Sequence, residues 1–300
     1  MNHFDEVQSR ARGRGIRIVM IGQGDGSLES AAALLAADGT AVVTIVGDGG
    51  IIPDSDPRLG RVAAALRDRW PERVRDGIHA LDLATNPLLF AIGLTAGGDA
   101  DVCLGGTAIP LDALEEAGRW LRGPERGTAG RGHLCYLLTT DRRLLTLVIP
   151  DSAGPLDAKM VARLALQASD HRTRVIGDQS RVGFLVAPPS QDASHAEAEL
   201  ALAEFRLLGP GIPATVEWNW TLDSGATEAG QFRCGPNVLI FPDPISGHLA
   251  ELVLRDATDL RTWGPLFPGS TWTLAGVPEG ASPADIVAVA TLAAAGTASA

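Results

Sequence analysis

Cysteine is scarce in this sequence: Cys103, Cys135 and Cys234 are the only three in 300 residues, an odd number without C-x-x-C spacing. That excludes the disulfide framework that staples small secreted domains, and with no histidine read as their partner it gives no sign of a zinc site. Buried free thiols are the expectation. Positive charge is also in short supply, since 25 Lys and Arg against 36 Asp and Glu leave a net charge of −11 and a pI near 5.0. Nucleic acids and anionic membranes attract clustered cations, so neither is an expected partner. The chain has no apolar run approaching the roughly eighteen residues of a membrane span. Its opening, MNHFDEVQSRARGRG, has no apolar core of signal-peptide length, so the expected location is the cytoplasm. Internal repeats are missing, as are H-E-x-x-H, G-x-S-x-G and Walker-type signatures. His79, His133, His171 and His195 show no metal-like spacing, and no metal is expected.

What is present is a chain with 45% hydrophobic residues, enough for one large or two moderate domains with their own cores. IRIVMI, GQGDG, SLESAAALLAADG and AVVTIVGDGG read as strand, glycine turn, helix and strand. This alternation predicts an α/β protein with a parallel sheet covered on both faces. Further strands are expected at 101–106, 133–139, 144–151, 181–188 and 237–243, and one more in TWTLAGV. Helices are expected at 57–69, 111–121, 158–170, 193–208, 247–258 and 283–294. The Gly-rich, charged run 122–132 marks a domain boundary, and WGPLFPGS (263–270) marks a second one. The expected domains are 1–130 with 268–300, and 131–267.

Three places can carry chemistry. Gly22-Gln23-Gly24-Asp25-Gly26 follows a strand and opens a helix at Ser27, so its N–H groups and the helix dipole suit an anion. A tight turn explains the glycines equally well, and a dinucleotide fingerprint is incomplete because position 27 is Ser. In NVLIFPDPISGH, the prolines around Asp243 stop a buried strand and a polar loop leads into a helix, the usual ligand position in open α/β sheets. His248 there reads either as a proton shuttle or as a capping residue. Ser282-Pro283-Ala284-Asp285 reads as a helix start near the capping-box pattern, which accounts for Asp285 without catalysis. Trp218 and Trp220 alternate on a strand-like segment and are expected to pack in the core.

Taken in order, RIVMIGQGDGSLESAAALLAADG, DVCLGGTAIPLDALEEA, LVIPDSAGPLDAKMVARLALQAS, NVLIFPDPISGH, WGPLFPG and EGASPADIVAVATLAAAG resemble the phosphate acetyltransferase and phosphate butyryltransferase family over nearly the whole chain. The resemblance implies two α/β domains with a cleft between them, in the manner of isocitrate and isopropylmalate dehydrogenases, with the last helix returning to the first domain. It also implies a homodimer that transfers an acyl group between coenzyme A and inorganic phosphate, the thioester being substrate and not cofactor. On that basis Asp285 is the candidate acid–base group. Gly22, Gly24, Gly26, Ser27, Asp223, Asp243, Gly247, His248 and Arg255 are the candidate binding residues. Departures accompany the match: Pro278 and Glu279 stand where the family has Ser and Arg, and Glu115 stands where it has another Arg. An inactive relative that senses acyl-CoA or binds a partner is the alternative those substitutions imply.

Overall fold

The computed structural model describes residues 3–24, 26–107, 109–122, 131–151, 157–186, 193–217, 235–258, 260–269 and 271–297. In chain order the first elements are α1 (His3–Ala11), β1 (Arg17–Gln23), α2 (Ser27–Ala37), β2 (Val42–Asp48), α3 (Leu59–Arg69), α4 (Gly77–Thr85), α5 (Pro87–Ala96), β3 (Val102–Gly105) and α6 (Leu111–Arg122). Then come β4 (Gly132–Leu138), β5 (Leu144–Pro150), α7 (Ala158–Val175), β6 (Val182–Leu185), α8 (Ala193–Leu208), β7 (Ala214–Glu217), β8 (Val238–Ile240) and α9 (Pro244–Asp256). The chain ends with β9 (Arg261–Pro268), β10 (Thr273–Gly276) and α10 (Pro283–Gly296). Two compact units result, one from His3–Gly127 with Trp263–Ala300, the other from Thr128–Thr262.

The first unit orders its strands β2-β1-β3-β10-β9, parallel except for β9, which runs against β10. Helices α5 and α6 pack on this sheet with α3 and α4 outside them, while α10 packs against α1, α2 and β10. Helix α10 is apolar on every side, and it is buried from Ile286 to Gly296 apart from Val287. A helix without a polar face has to be enclosed. Its alanines let α1 and α2 approach, and Arg14 closes its end by donating to the carbonyls of Ala294, Ala295 and Thr297.

The second unit orders its strands β4-β5-β8-β6-β7, parallel except for β4, which runs against β5. Side-chain alternation along β4 and β5 sorts the core into two layers. Cys135 and Leu137 lie opposite Leu147 and Leu145 and share an apolar cluster with Leu239 and, from α9, Leu254. Tyr136 and Thr146 point the other way, where the Tyr136 hydroxyl lies 2.9 Å from His171 Nδ1 on α7. On this face Arg172, 3% exposed, donates to Leu144 O, Thr146 Oγ1 and Asn237 O and pairs with Asp178.

The α/β fold and most expected elements are present, with instructive differences. The expectation of a parallel sheet fails at one strand per unit, β9 and β4. The first unit resumes at Trp263, and WGPLFPGS, despite two prolines, forms most of β9, pairing Leu266, Phe267 and Pro268 with Ala275, Leu274 and Thr273. The helix expected from Gly247 begins at Pro244, because Asp243 caps it and a proline is tolerated in a first helical turn. Cys103 and Cys135 are buried free thiols as expected, and burial pushes the Cys103 thiol up to about 12. Cys234, Trp218, Trp220 and Asp223 lie outside the described residues.

His171 sets a pH dependence. Full burial, aided by the charge of Arg174, lowers its pKa from 6.5 to about 3, so the folded protein keeps the ring neutral where an unfolded chain would protonate it. The unfolded state then binds the extra proton. Stability contributed by this group is complete above pH 6.5 and is lost as pH falls towards 3, by about 1.4 kcal/mol per pH unit. Urea unfolding between pH 7 and 4 should show this slope, and His171→Gln should flatten it.

Candidate functional site

In an open α/β sheet the ligand crevice lies at the carboxyl ends of strands, where successive connections leave in opposite directions. In the first unit that point falls between β1, which leads outward to β2, and β3. Two loops border it: 22–26 after β1 and the turn after β3. The loop after β10, Val277 to Ser282, stands on the next strand.

Gly22 is buried, and its absent side chain is required. A Cβ there would lie 2.4 Å from the backbone oxygen of Asp48 and 2.9 Å from Ile45 Cγ2. Gly24 and Gly26 have φ of +77° and +69°, left-handed conformations that favour glycine. Gly26 is the N-cap of α2 without a side-chain bond, and Ser27 is the first helical residue. The tight turn, one of the two readings made from the sequence, accounts for these glycines.

Asp285 sits half-buried in the first turn of α10. Ser282 Oγ donates to Asp285 Oδ2 at 2.6 Å and accepts the Asp285 N–H at 3.2 Å, a reciprocal cap. Trp263 Nε1 approaches Oδ1 at 3.4 Å. Trp263 is itself buried against Phe4, with ring centroids 5.3 Å apart. The carboxylate is held from two sides, so its position is fixed by packing. Pro278 is half-buried and Glu279 exposed on the preceding loop, whereas Glu115 is buried on α6.

Several described arginines of this unit are paired with neighbouring acids. Arg17 pairs with Asp101, Arg58 with Asp56, Arg61 with Asp99, and Arg73 and Arg119 with Glu116. In the second unit Arg255, expected as an anion partner, donates to Asp256 Oδ1 at 2.8 Å on the exposed side of α9. That bond and the neighbouring charge raise its pKa and favour the local pair.

The second unit has its own switch point, between β8 and β6. A cavity of about 300 Å³ opens there, lined by Asp157, Phe184, Glu197, Ile240, Phe241 and Asp243 among others. Asp157 and Asp243 are N-caps, accepting the N–H of Met160 at 2.7 Å and of Ser246 at 2.8 Å. Three carboxylates make this cavity a poor place for a phosphate.

Gly247 is explained by contact. A Cβ would meet Ile149 Cγ2 at 2.7 Å, so α9 lies directly on β5. His248, the next residue, is neither a surface residue nor a cap. Its ring stacks on that of His133, centroids 5.4 Å apart. His133 also faces Glu251 across 3.7 Å, and its neighbour Cys135 lies on the same strand face. This cluster corrects the expectation that the cysteines lack a histidine partner. The signal was the alternation His133-Leu134-Cys135, which puts both side chains on one side of a strand.

The fold is that of a two-unit α/β protein with a switch point in each unit. The chain matches a phosphotransacetylase from Streptococcus pyogenes with a TM-score of 0.81, at 16% identity over 98% of this chain and 97% of that one. The EutD phosphotransacetylase from Staphylococcus aureus gives a TM-score of 0.79 at 15% identity over the same shares. In sequence, the chain is 27% identical over 292 residues, 90% of its length, to a phosphate acetyltransferase from Paracoccus denitrificans, covering 91% of that protein. No family model matches. The resemblance read from the sequence is borne out: the chain is similar to a phosphate acetyltransferase in sequence and to phosphotransacetylases in fold.

The Gly247 contact makes a measurable prediction. Gly247→Ala should destabilise the protein by about 1–3 kcal/mol through overpacking, despite the roughly 1 kcal/mol that Ala gains over Gly inside a helix. The urea midpoint should fall with m unchanged. Leu207→Ala, at a position 77% exposed on α8, is the control and should stay within about 0.5 kcal/mol.

Proposed function

We propose that this protein transfers an acyl group between coenzyme A and inorganic phosphate. The observation that carries the reading is the full-length relation to the Paracoccus denitrificans phosphate acetyltransferase. In the forward direction a phosphate oxygen attacks the thioester carbonyl carbon. The C–S bond breaks as the acyl–phosphate bond forms, and the thiolate leaves as coenzyme A after taking a proton. Asp285 is the proton-handling group in this scheme, since its carboxylate is held in place by Ser282 and Trp263. The N–H groups of the Gly22–Gly26 loop supply donors for developing negative charge. With Glu279 at the loop after β10, the anion relies on these backbone donors where relatives offer an arginine.

The same reading includes a cytoplasmic working place and a homodimer. Among the described residues no single helix is long and apolar enough to cross a membrane. Self-association has physical support on α9, where Ile245, Leu249, Leu252 and Val253 are 46–72% exposed and follow one helical face.

Two measurements test these statements. CoA thiol release from acetyl-, propionyl- and butyryl-CoA should depend on phosphate and fall about 100-fold in Asp285→Asn, which keeps the shape of the capping group. Release that ignores phosphate, or none from folded protein, overturns the activity. Light scattering should give a dimer for the wild type and a monomer for the double variant Leu249→Glu, Val253→Glu. An unchanged mass removes α9 as the interface.

A further inference from the structure

The cluster on the α9 side of the second unit is not used by the acyl-transfer scheme. Strand β4 contributes His133 and Cys135, two residues apart and therefore on one face, each fully buried. Helix α9 contributes Glu251, one turn after His248 and on the same face. The two elements meet because Gly247 lets the helix rest on Ile149, which is the cross-strand partner of His133. The result is that one ligating atom each from His133, Cys135 and Glu251 lies within 4.8 Å of the other two.

We propose that His133, Cys135 and Glu251 form a binding site for one divalent transition-metal ion of the zinc class. Zinc bonds of about 2.0–2.3 Å to nitrogen, sulfur and oxygen in a tetrahedron place ligand atoms roughly 3–4 Å apart. His133 Nε2 and Glu251 Oε2 are already 3.7 Å apart, so a small inward shift of the thiol completes the three-ligand set. An imidazole and a thiolate select zinc over magnesium or calcium, which prefer oxygen alone.

Charge also favours the ion. Metal binding replaces the thiol proton, which leaves to solvent. Two positive charges then meet one thiolate and one carboxylate, a neutral set suited to a buried place. The ion would tie β4 to α9 and hold the helix whose start carries Asp243.

The test uses the full-length chain, stripped with EDTA and titrated with Co²⁺ without air. The expected result is one Co²⁺ per chain with a thiolate-to-cobalt charge-transfer band in the near ultraviolet, displaced by Zn²⁺. Cys135→Ser should abolish the band, Cys103→Ser should keep it, and Glu251→Gln should weaken binding by about tenfold or more. A folded wild type without the band overturns the site, as does a band that survives Cys135→Ser. If Cys135→Ser does not fold, unchanged affinity in Glu251→Gln overturns it as well.

Discussion

Close approach of one backbone to another, made possible by missing side chains, is the constraint on which both candidate rims depend. At Gly22 the β1 backbone comes so near Asp48 that any Cβ would overlap its carbonyl oxygen. At Gly247 the same economy brings a whole helix down onto β5. Interiors packed to crystal density transmit such constraints, because nothing nearby can yield cheaply. The loop at 22–26 takes its left-handed turns immediately after the first contact, and the α9 face carrying His248 and Glu251 is placed by the second. Functional atoms in both units thus inherit their positions from residues without chemistry of their own.

Electrostatics then limits what each rim can hold. The chain carries eleven more acids than bases, and its described arginines are mostly paired with neighbouring acids or carbonyls. A phosphate at the first unit's rim must be met by N–H dipoles instead of guanidinium groups. Helix N-termini and nests of N–H groups bind anions without net positive charge, and α2 starts at the end of the glycine loop. The second unit's cavity, with Asp157, Glu197 and Asp243 on its wall, has the opposite character. The proposed acyl transfer therefore places its anion at the first unit.

Much of this was legible in the residues. The prolines about Asp243 announced the end of β8, and Ser282-Pro283-Ala284-Asp285 announced the start of α10, because capping and proline placement are local effects written in a few adjacent residues. The strand at 261–268 was hidden for the same kind of reason. Gly264, Pro265 and Pro268 have the local character of a linker, and only pairing with β10 overrides it. The helices at 77–85 and 87–96 went unread, although Asp76 and Asn86 cap them in the ordinary way. The pairing of Arg255 with Asp256 was not legible either, because a helix position alone cannot say that the adjacent carboxylate will take its guanidinium. Least legible was the His133, Cys135 and Glu251 cluster, since a strand pair and a distant helix meet only in the folded chain.

The segment from Asp243 to Arg255 shows how one short motif serves several levels at once. Asp243 satisfies an orphan N–H at the helix start, a contribution of about 1 kcal/mol for such caps. Gly247 gives up helix propensity so that the axis can approach the sheet, and that approach determines which face is buried. Once the face is chosen, His248 and Glu251 must lie inward and Leu249, Leu252 and Val253 outward, because 3.6 residues per turn leave no other assignment. A buried carboxylate then requires donors, and His133 and Cys135 on β4 are within reach to provide them. The polar cluster under α9 therefore follows from the glycine that precedes it.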